Sequence, residues 1–307
     1  MREGHRAGHS CGRSIDSKGS MRVGDAAWQP LPLRHGLQSH NGRTVSEMNA
    51  LGEQYLEICD DLISKIGTEN VGFVVPEDAS LEQCASYLEQ FVVHDREHFR
   101  YCRYLRMLAH CSEQHGSLGT SAKGDRTIVH VDVGTGPGVF HWVMHDCIQQ
   151  QFELKHRPQL MLFGYDKCPN MLELAKRIWK EFDVEVQPNY FSDAKELVKT
   201  VKNVSPNAHL IVTFGHVLIQ ANKVLWKPEI AKLAKLCGKL SNSTHTTDII
   251  AADAYAYDYS NQFNRAASRL FKELQKCSDK GQWRQVDISD SILPDGSRAL
   301  IRNWGES

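Results

Sequence analysis

Three glycines at alternate positions close the segment Ile128-Val129-His130-Val131-Asp132-Val133-Gly134-Thr135-Gly136-Pro137-Gly138. An apolar run ends in them and a helical pattern follows. Glycine admits positive φ and lets a ligand approach the backbone. In an open α/β sheet, ligands sit beyond the carboxyl ends of the strands. A dinucleotide fingerprint needs G-x-G-x-x-G. Here the spacing is G-x-G-x-G, and Val139 stands where that third glycine belongs. No Gly-Lys-Ser/Thr follows, as a phosphate-cradling Walker loop requires. Asp132, just ahead of the loop, would repel a pyrophosphate and attract a cationic amino group. A ligand with an amino-acid moiety is therefore favoured over NAD. The alternative is a tight turn that holds no ligand.

The neighbours of this loop narrow the choice. Val131-Asp132-Val133-Gly134-Thr135-Gly136-Pro137-Gly138 resembles the first motif of the class I, Rossmann-like S-adenosylmethionine-dependent methyltransferases. Gly164-Tyr165-Asp166-Lys167-Cys168-Pro169-Asn170-Met171-Leu172 resembles the second signature of that family. The resemblance spans about residues 126 to 304 and implies S-adenosylmethionine as cofactor. It implies contacts from Asp132, Gly134, Thr135, Gly136 and Gly138 in the first motif, and from Asp166, Lys167 and Met171 in the second. Asp166 would hold the ribose hydroxyls, as a carboxylate at a strand end is able to do; its alternative is a helix N-cap. Tyr190-Phe191-Ser192-Asp193-Ala194 matches the third position, where the family's acidic residue meets the adenine amino group. Ser192 and Asp193 fit there, with capping of the next helix as the alternative. Val212-Thr213-Phe214-Gly215-His216-Val217-Leu218 falls where the family places groups near methyl donor and substrate, which puts Phe214 among the cofactor contacts.

Methyl transfer from a sulfonium needs alignment more than acid–base chemistry. A nitrogen or oxygen nucleophile that must lose a proton would be served by a histidine, and His216 is the best placed; packing at the strand end is the competing role. The Asn/Asp-Pro-Pro-Tyr pattern of amino-directed nucleic-acid methyltransferases is missing, as is a Pro-Cys pair at the fourth strand. For the acceptor, Tyr101, Tyr104 and Arg103 are candidates, with Tyr255 in the Asp253–Tyr259 segment. Arg96, Arg100, Arg103 and Arg106 read first as a solvated helix face, second as a site for an anionic substrate or RNA phosphates. The function expected is methyl transfer to an acceptor, a small molecule ahead of RNA or protein. A catalytically silent Rossmann-like cofactor- or partner-binding protein is the alternative. An NAD-dependent oxidoreductase is disfavoured by Val139.

These residues need elements to position them. Strands and helices alternate from Arg126: strands at 127–133, 160–165, 184–191, 209–214 and 248–252, with helices between them. A terminal hairpin of 283–288 and 297–304 follows, turning at Pro294-Asp295-Gly296. The alternation predicts an α/β fold, a doubly wound, mostly parallel sheet of seven strands, over residues 126–307. Ahead of it, 44–115 reads as a helical cap. Capping boxes stand at Thr44/Glu47 and Ser80/Gln83, and a helix break is expected near His94. Residues 116–125 read as a linker, and 1–43, rich in Gly, Ser, Arg and His, as a disordered tail. Leu88, Phe91, Phe99 and Leu105 would pack on the sheet domain, leaving Tyr101, Tyr104 and an arginine to face the crevice.

Composition bounds the rest. A formal charge of −1 over 307 residues supports no nucleic-acid partner, though it says nothing of a local basic patch. No apolar run approaches the roughly 18 residues of a membrane span. The nine cysteines include no Cys-x-x-Cys pair. That fits reduced thiols in a cytoplasm and no zinc site. His94/His98 and His141/His145 each share a helix face without partners at ligand spacing, so no metal is expected.

Overall fold

The computed structural model describes residues 50–71, 75–93, 100–116, 118, 127–182, 184–204, 208–218, 226–241, 246–253, 257–277, 282–286 and 297–304. The tail, the Thr44/Glu47 box, the break near His94, Phe99, most of the linker, Tyr255 and the hairpin turn lie outside the described residues.

Three helices precede the sheet: α1 (Ala50–Ile66), α2 (Leu81–Leu88) and α3 (Arg100–His115). The Ser80/Gln83 capping box forms as expected. Gln83 N donates to Ser80 Oγ and Ser80 N donates to Gln83 Oε1, each at 3.1 Å. A wider turn over Glu89–Val93 extends α2.

Then follow β1 (Thr127–Val133), α4 (Val139–Gln151), β2 (Gln159–Tyr165), α5 (Pro169–Lys180), β3 (Asn189–Phe191), α6 (Ala194–Val201) and β4 (His209–Gly215). The chain continues with α7 (Trp226–Ser241), β5 (Thr246–Asp253), α8 (Tyr257–Cys277), β6 (Gln282–Val286) and β7 (Ser297–Trp304). The sheet has seven strands in the order β3-β2-β1-β4-β5-β7-β6. The first five are parallel, and β7 runs antiparallel to both β5 and β6. This is the doubly wound, mostly parallel plan that the alternation predicts, with helices ahead of the first strand.

β3 is shorter than expected. Val184 and Val186 pack against the core from outside the sheet, and Trp179 Nε1 donates to Val186 O at 3.0 Å. Their alternation serves contact with α5, and only Asn189–Phe191 reaches β2.

Alternate residues of each strand serve opposite faces. Val129, Val131 and Val133 of β1 join α6, α7 and α8 in one core. Ile128 joins α4, α5 and the three N-terminal helices in the other. Every residue of α4 from Val139 to Ile148 is buried, because the sheet covers one side and α3 and α1 pack on the helix from elsewhere. Leu88 and Leu105 are buried in this core and Phe91 packs on it, as expected of the cap's apolar face.

Candidate cofactor site

The glycine loop leaves β1 with Gly134, Gly136 and Gly138 at φ +70°, +51° and +79°, a region that L-residues with a Cβ visit at a cost. Two of the three are also required by packing. A Cβ on Gly134 would collide with the Val217 side chain, and one on Gly138 would stand 3.1 Å from Tyr190 Oη. A Cβ on Gly136 would meet only Gly134 O, at 4.0 Å. Gly136 is therefore where the loop's own packing leaves its backbone approachable.

The end of β2 holds the loop in this shape. Gly134 N and Thr135 N both donate to Tyr165 O, at 2.7 and 3.0 Å. Asp166 Oδ2 accepts from Gly136 N at 3.1 Å, and Oδ1 accepts from Cys168 N at 3.0 Å. The second bond makes Asp166 a local cap for the start of α5; the first ties it to the glycine loop. Burial raises the Asp166 carboxyl above the usual carboxylate range, against the pull of these backbone N–H groups. The Lys167 N–H adds to them, and a carboxylate with about four lone-pair sites retains further acceptor capacity.

Asp132 lies one strand over and is 2% exposed. Thr213 Oγ1 donates to its Oδ1 at 2.6 Å, and His130 Nε2 lies 2.8 Å from the same Thr213 Oγ1. With Asp132 ionised, Thr213 donates to the carboxylate and His130 Nε2 donates to Thr213; with Asp132 protonated, the chain can run the other way. Burial pushes the Asp132 carboxyl up to about 7, and the Thr213 bond only partly opposes it. Burial holds His130 well below its ordinary value and takes His141 down to about 4. The histidines under the loop are therefore neutral.

The remaining candidates divide. Lys167 extends from the end of β2 to Glu77 Oε1 at 3.0 Å and Glu229 Oε2 at 3.8 Å, joining the segment before α2 to the start of α7. Met171 is buried within α5, 2% exposed. Ser192 is exposed. Asp193 caps α6, its Oδ1 accepting from Lys195 N at 2.8 Å. Phe214 is fully buried in the core on the α6–α8 side of the sheet. Thr135 is buried in the loop.

His216, at the end of β4, has φ +59°, and its N–H donates to Ala252 O at 2.9 Å. Its ring centroid is 6.3 Å from that of Tyr104. Tyr104 stacks on Phe140 at 3.9 Å with an interplanar angle of 2°, and its hydroxyl would stand 2.7 Å from a Cβ on Gly215. Tyr104 thus reaches the end of β4. Tyr101 does not: it is 1% exposed and donates to Asp146 Oδ2 on α4 at 2.7 Å. The hydroxyl needed a buried acceptor, and Asp146 supplies one. Arg103 belongs to α3, with its side chain outside the described residues, as is Tyr255.

The sequence reading passed over several residues of this region. Thr213 was hidden in an apolar strand pattern, and only the pairing of β1 with β4 sets it opposite Asp132. Tyr190 packs over Gly164, where a Cβ would lie 2.5 Å from its ring, and its Oη lies 3.3 Å from His141 Nδ1. Tyr55 of α1 donates to Pro137 O at 3.5 Å. No spacing rule relates residues so far apart. Among the described residues no group of three or more His, Cys, Asp or Glu is placed to hold a metal ion. No helix among them is long and apolar enough to cross a membrane.

No protein-family model matches the chain, and no curated protein matches it. Solved structures do. A proposed S-adenosyl-L-methionine-dependent methyltransferase of Methanococcus maripaludis is 10% identical, covering 78% of this chain and 98% of its own, with a TM-score of 0.44. Cofactor-bound Rv0187 from MTB is 11% identical, covering 84% and 91%, with a TM-score of 0.44. The plantazolicin methyltransferase BpumL, solved with a monoazolic desmethylPZN analog and SAH, is 12% identical, covering 84% and 100%, with a TM-score of 0.39. The functional reading rests on this chain's own residues.

Proposed function

We propose that this chain is an S-adenosylmethionine-dependent methyltransferase acting on a small-molecule acceptor in the cytoplasm. The observation that carries the reading is the Asp166–Gly136 bond. It links a carboxylate at the end of β2 to the one glycine of the loop whose backbone packing leaves approachable. When bound, the cofactor supplies a methyl group on a sulfonium. Gly134, Thr135, Gly136 and Gly138 give it a floor of backbone, and Asp166 offers its remaining acceptor capacity to vicinal hydroxyls. Asp132 offers a negative charge to an amino group. Lys167, Met171, Ser192, Asp193 and Phe214 complete the proposed cofactor set. His216 is the proposed proton acceptor, beside Tyr104. Arg103 and Tyr255 complete the proposed acceptor set, while Tyr101 is spent on seating α3 against α4. The described cysteines form no disulfide with one another, in keeping with a reducing compartment.

One observation favours the silent alternative: His216 and Tyr104 are only 2% and 4% exposed. Calorimetric titration with S-adenosylhomocysteine and with NAD is the test of the cofactor. Binding of the first alone is expected, and binding of NAD alone would overturn the reading. Methyl transfer to any acceptor then separates enzyme from silent binder.

A further inference from the structure

The net charge of −1 conceals a polarised molecule. The segments of α6, α7 and α8 hold ten Lys and Arg against four Asp and Glu. Those of α1 to α5 hold seven Lys and Arg against eight Asp and Glu. Helices α6, α7 and α8 form one layer: each buries its apolar stripe in the same core, through Leu197 and Val201, Ala234 and Cys237, and Phe263 and Leu270. α7 packs on both α6 and α8.

The cations lie away from those buried stripes, in rows at helical spacing. Lys195, Lys199 and Lys202 follow α6 at i, i+4 and i+7, all exposed. Lys232, Lys235 and Lys239 follow α7 at i, i+3 and i+7, all exposed. On α8 the row is Arg265, Arg269, Lys272 and Lys276, of which Arg269 is half-buried and the others exposed. Charges in one row stand about 5–6 Å apart, and packed helices about 8–10 Å apart. Within the layer, Lys232 pairs with Glu229 and Lys276 with Glu273.

We propose that the outer face of α6, α7 and α8 binds the phosphodiester backbone of a nucleic-acid duplex. Three rows of cations on a rigid helical layer match a surface of regularly repeated negative charge. A membrane surface fits less well, because binding there also buries apolar side chains. Among the described residues the one exposed large hydrophobic is Leu154, between α4 and β2. An unpaired strand would call for aromatic platforms on which bases stack; of the aromatic side chains described on α6–α8, Phe263 is buried and Phe271 half-buried. The interaction is electrostatic and independent of base sequence. It stands whether or not the crevice transfers methyl groups, since its readout needs no cofactor.

The test is fluorescence anisotropy of the full chain with labelled 20-base-pair RNA and DNA duplexes of mixed sequence, from 50 to 200 mM salt. Lys199→Ala/Lys235→Ala/Lys272→Ala removes one exposed cation per helix and keeps good helix formers. Lys155→Ala/Lys176→Ala/Lys180→Ala is the control on the α4–α5 side of the sheet. The first triple variant is expected to lower affinity at least ~10-fold at fixed salt and to reduce the log–log salt slope by about 2–3. The control is expected to bind like the unaltered chain. The tighter of the RNA and DNA arms identifies the source, and either upholds the proposal. No binding at 50 mM salt, an unaltered slope in the first variant, or equal weakening by both variants overturns it. So does tighter binding to phosphatidylserine vesicles than to either duplex at matched phosphate concentration.

Discussion

Asp132 meets the Thr213 hydroxyl at one oxygen in a region that burial makes hostile to charge, and its carboxyl is pushed up to about 7. An unfolded Asp titrates near 3.9. Between those values the folded chain keeps a proton that the unfolded chain has lost. The stability from this group is therefore complete below about pH 4 and lost as pH rises through about 7, by up to about 4 kcal/mol. Asp132→Asn is expected to flatten that limb of the stability–pH curve, read by urea unfolding at pH 4.5 and 7.5; an unchanged limb would show that the proton is not held there. A cationic ligand beside Asp132 must drive its proton off, so binding near pH 6 is expected to release protons. Calorimetry in buffers of different ionisation heat measures this. At Gly136, φ +51° makes alanine cost about 1–2 kcal/mol. Gly136→Ala is expected to fold, melt a few degrees lower and bind S-adenosylhomocysteine at least about tenfold more weakly. Undiminished affinity would remove the loop from the site. The glycines and the two carboxylates were legible in the sequence because their chemistry is local: a strand end, a turn, a charge. Thr213 and Tyr190 were not, since their roles arise only where β4 lies beside β1 and β3 beside β2.

At the scale of elements, α4 explains why helices precede the sheet. A helix of a doubly wound fold normally shows one face to water, yet Val139–Ile148 is apolar nearly all round, and such a helix must be covered. α3 is that cover, and its attachment is polar as well as apolar. Asp146 accepts from Tyr101 at 2.7 Å and from Gln150 at 2.8 Å, with 1% exposure. Tyr101→Phe deletes one donor and leaves the buried carboxylate with less than it needs, a loss of about 1–3 kcal/mol. Equilibrium unfolding is expected to show that loss while S-adenosylhomocysteine affinity stays the same. A stability within 0.5 kcal/mol of the unaltered chain, roughly the scatter of surface substitutions, would mean that apolar contact alone seats α3. Strand order was less legible than element type. The hairpin could be read from its turn residues, but β7 taking the place beside β5, with eight paired positions from Thr246 to Asp253, depends on contacts that periodicity does not encode.

At the scale of the molecule, a Gly-rich stretch between two differently patterned regions suggested a cap whose apolar face packs on a sheet domain. The apolar contacts run across that boundary. Tyr55 of α1 meets Trp142 of α4 edge-on at 5.1 Å, and Trp142 stacks on Phe182 at 4.1 Å and meets Trp179 at 5.6 Å. Cys84 of α2 lies with its sulfur 3.7 Å from that of Cys168, and Asn170 Nδ2 donates to Ala79 O at 2.8 Å. Removing α1–α3 would lay bare Phe140, Trp142 and Met144, each at most 2% exposed, and apolar area on that scale costs about 25 cal/mol per Å². A cap fastened so widely has no route to melting alone. The described residues are expected to unfold in one transition, with far-UV circular dichroism, reporting helices, superposing on the fluorescence lost in a Trp142→Phe difference trace, reporting the seam. Tyr55→Ala is expected to lower the single midpoint by about 3–5 kcal/mol equivalent, as large aromatic truncations do, with both probes moving together. Deleting residues 1–43 is expected to leave the midpoint where it was. Two separated transitions, the fluorescence change preceding the main loss of helix, would show that α1–α3 is an independently folding cap after all.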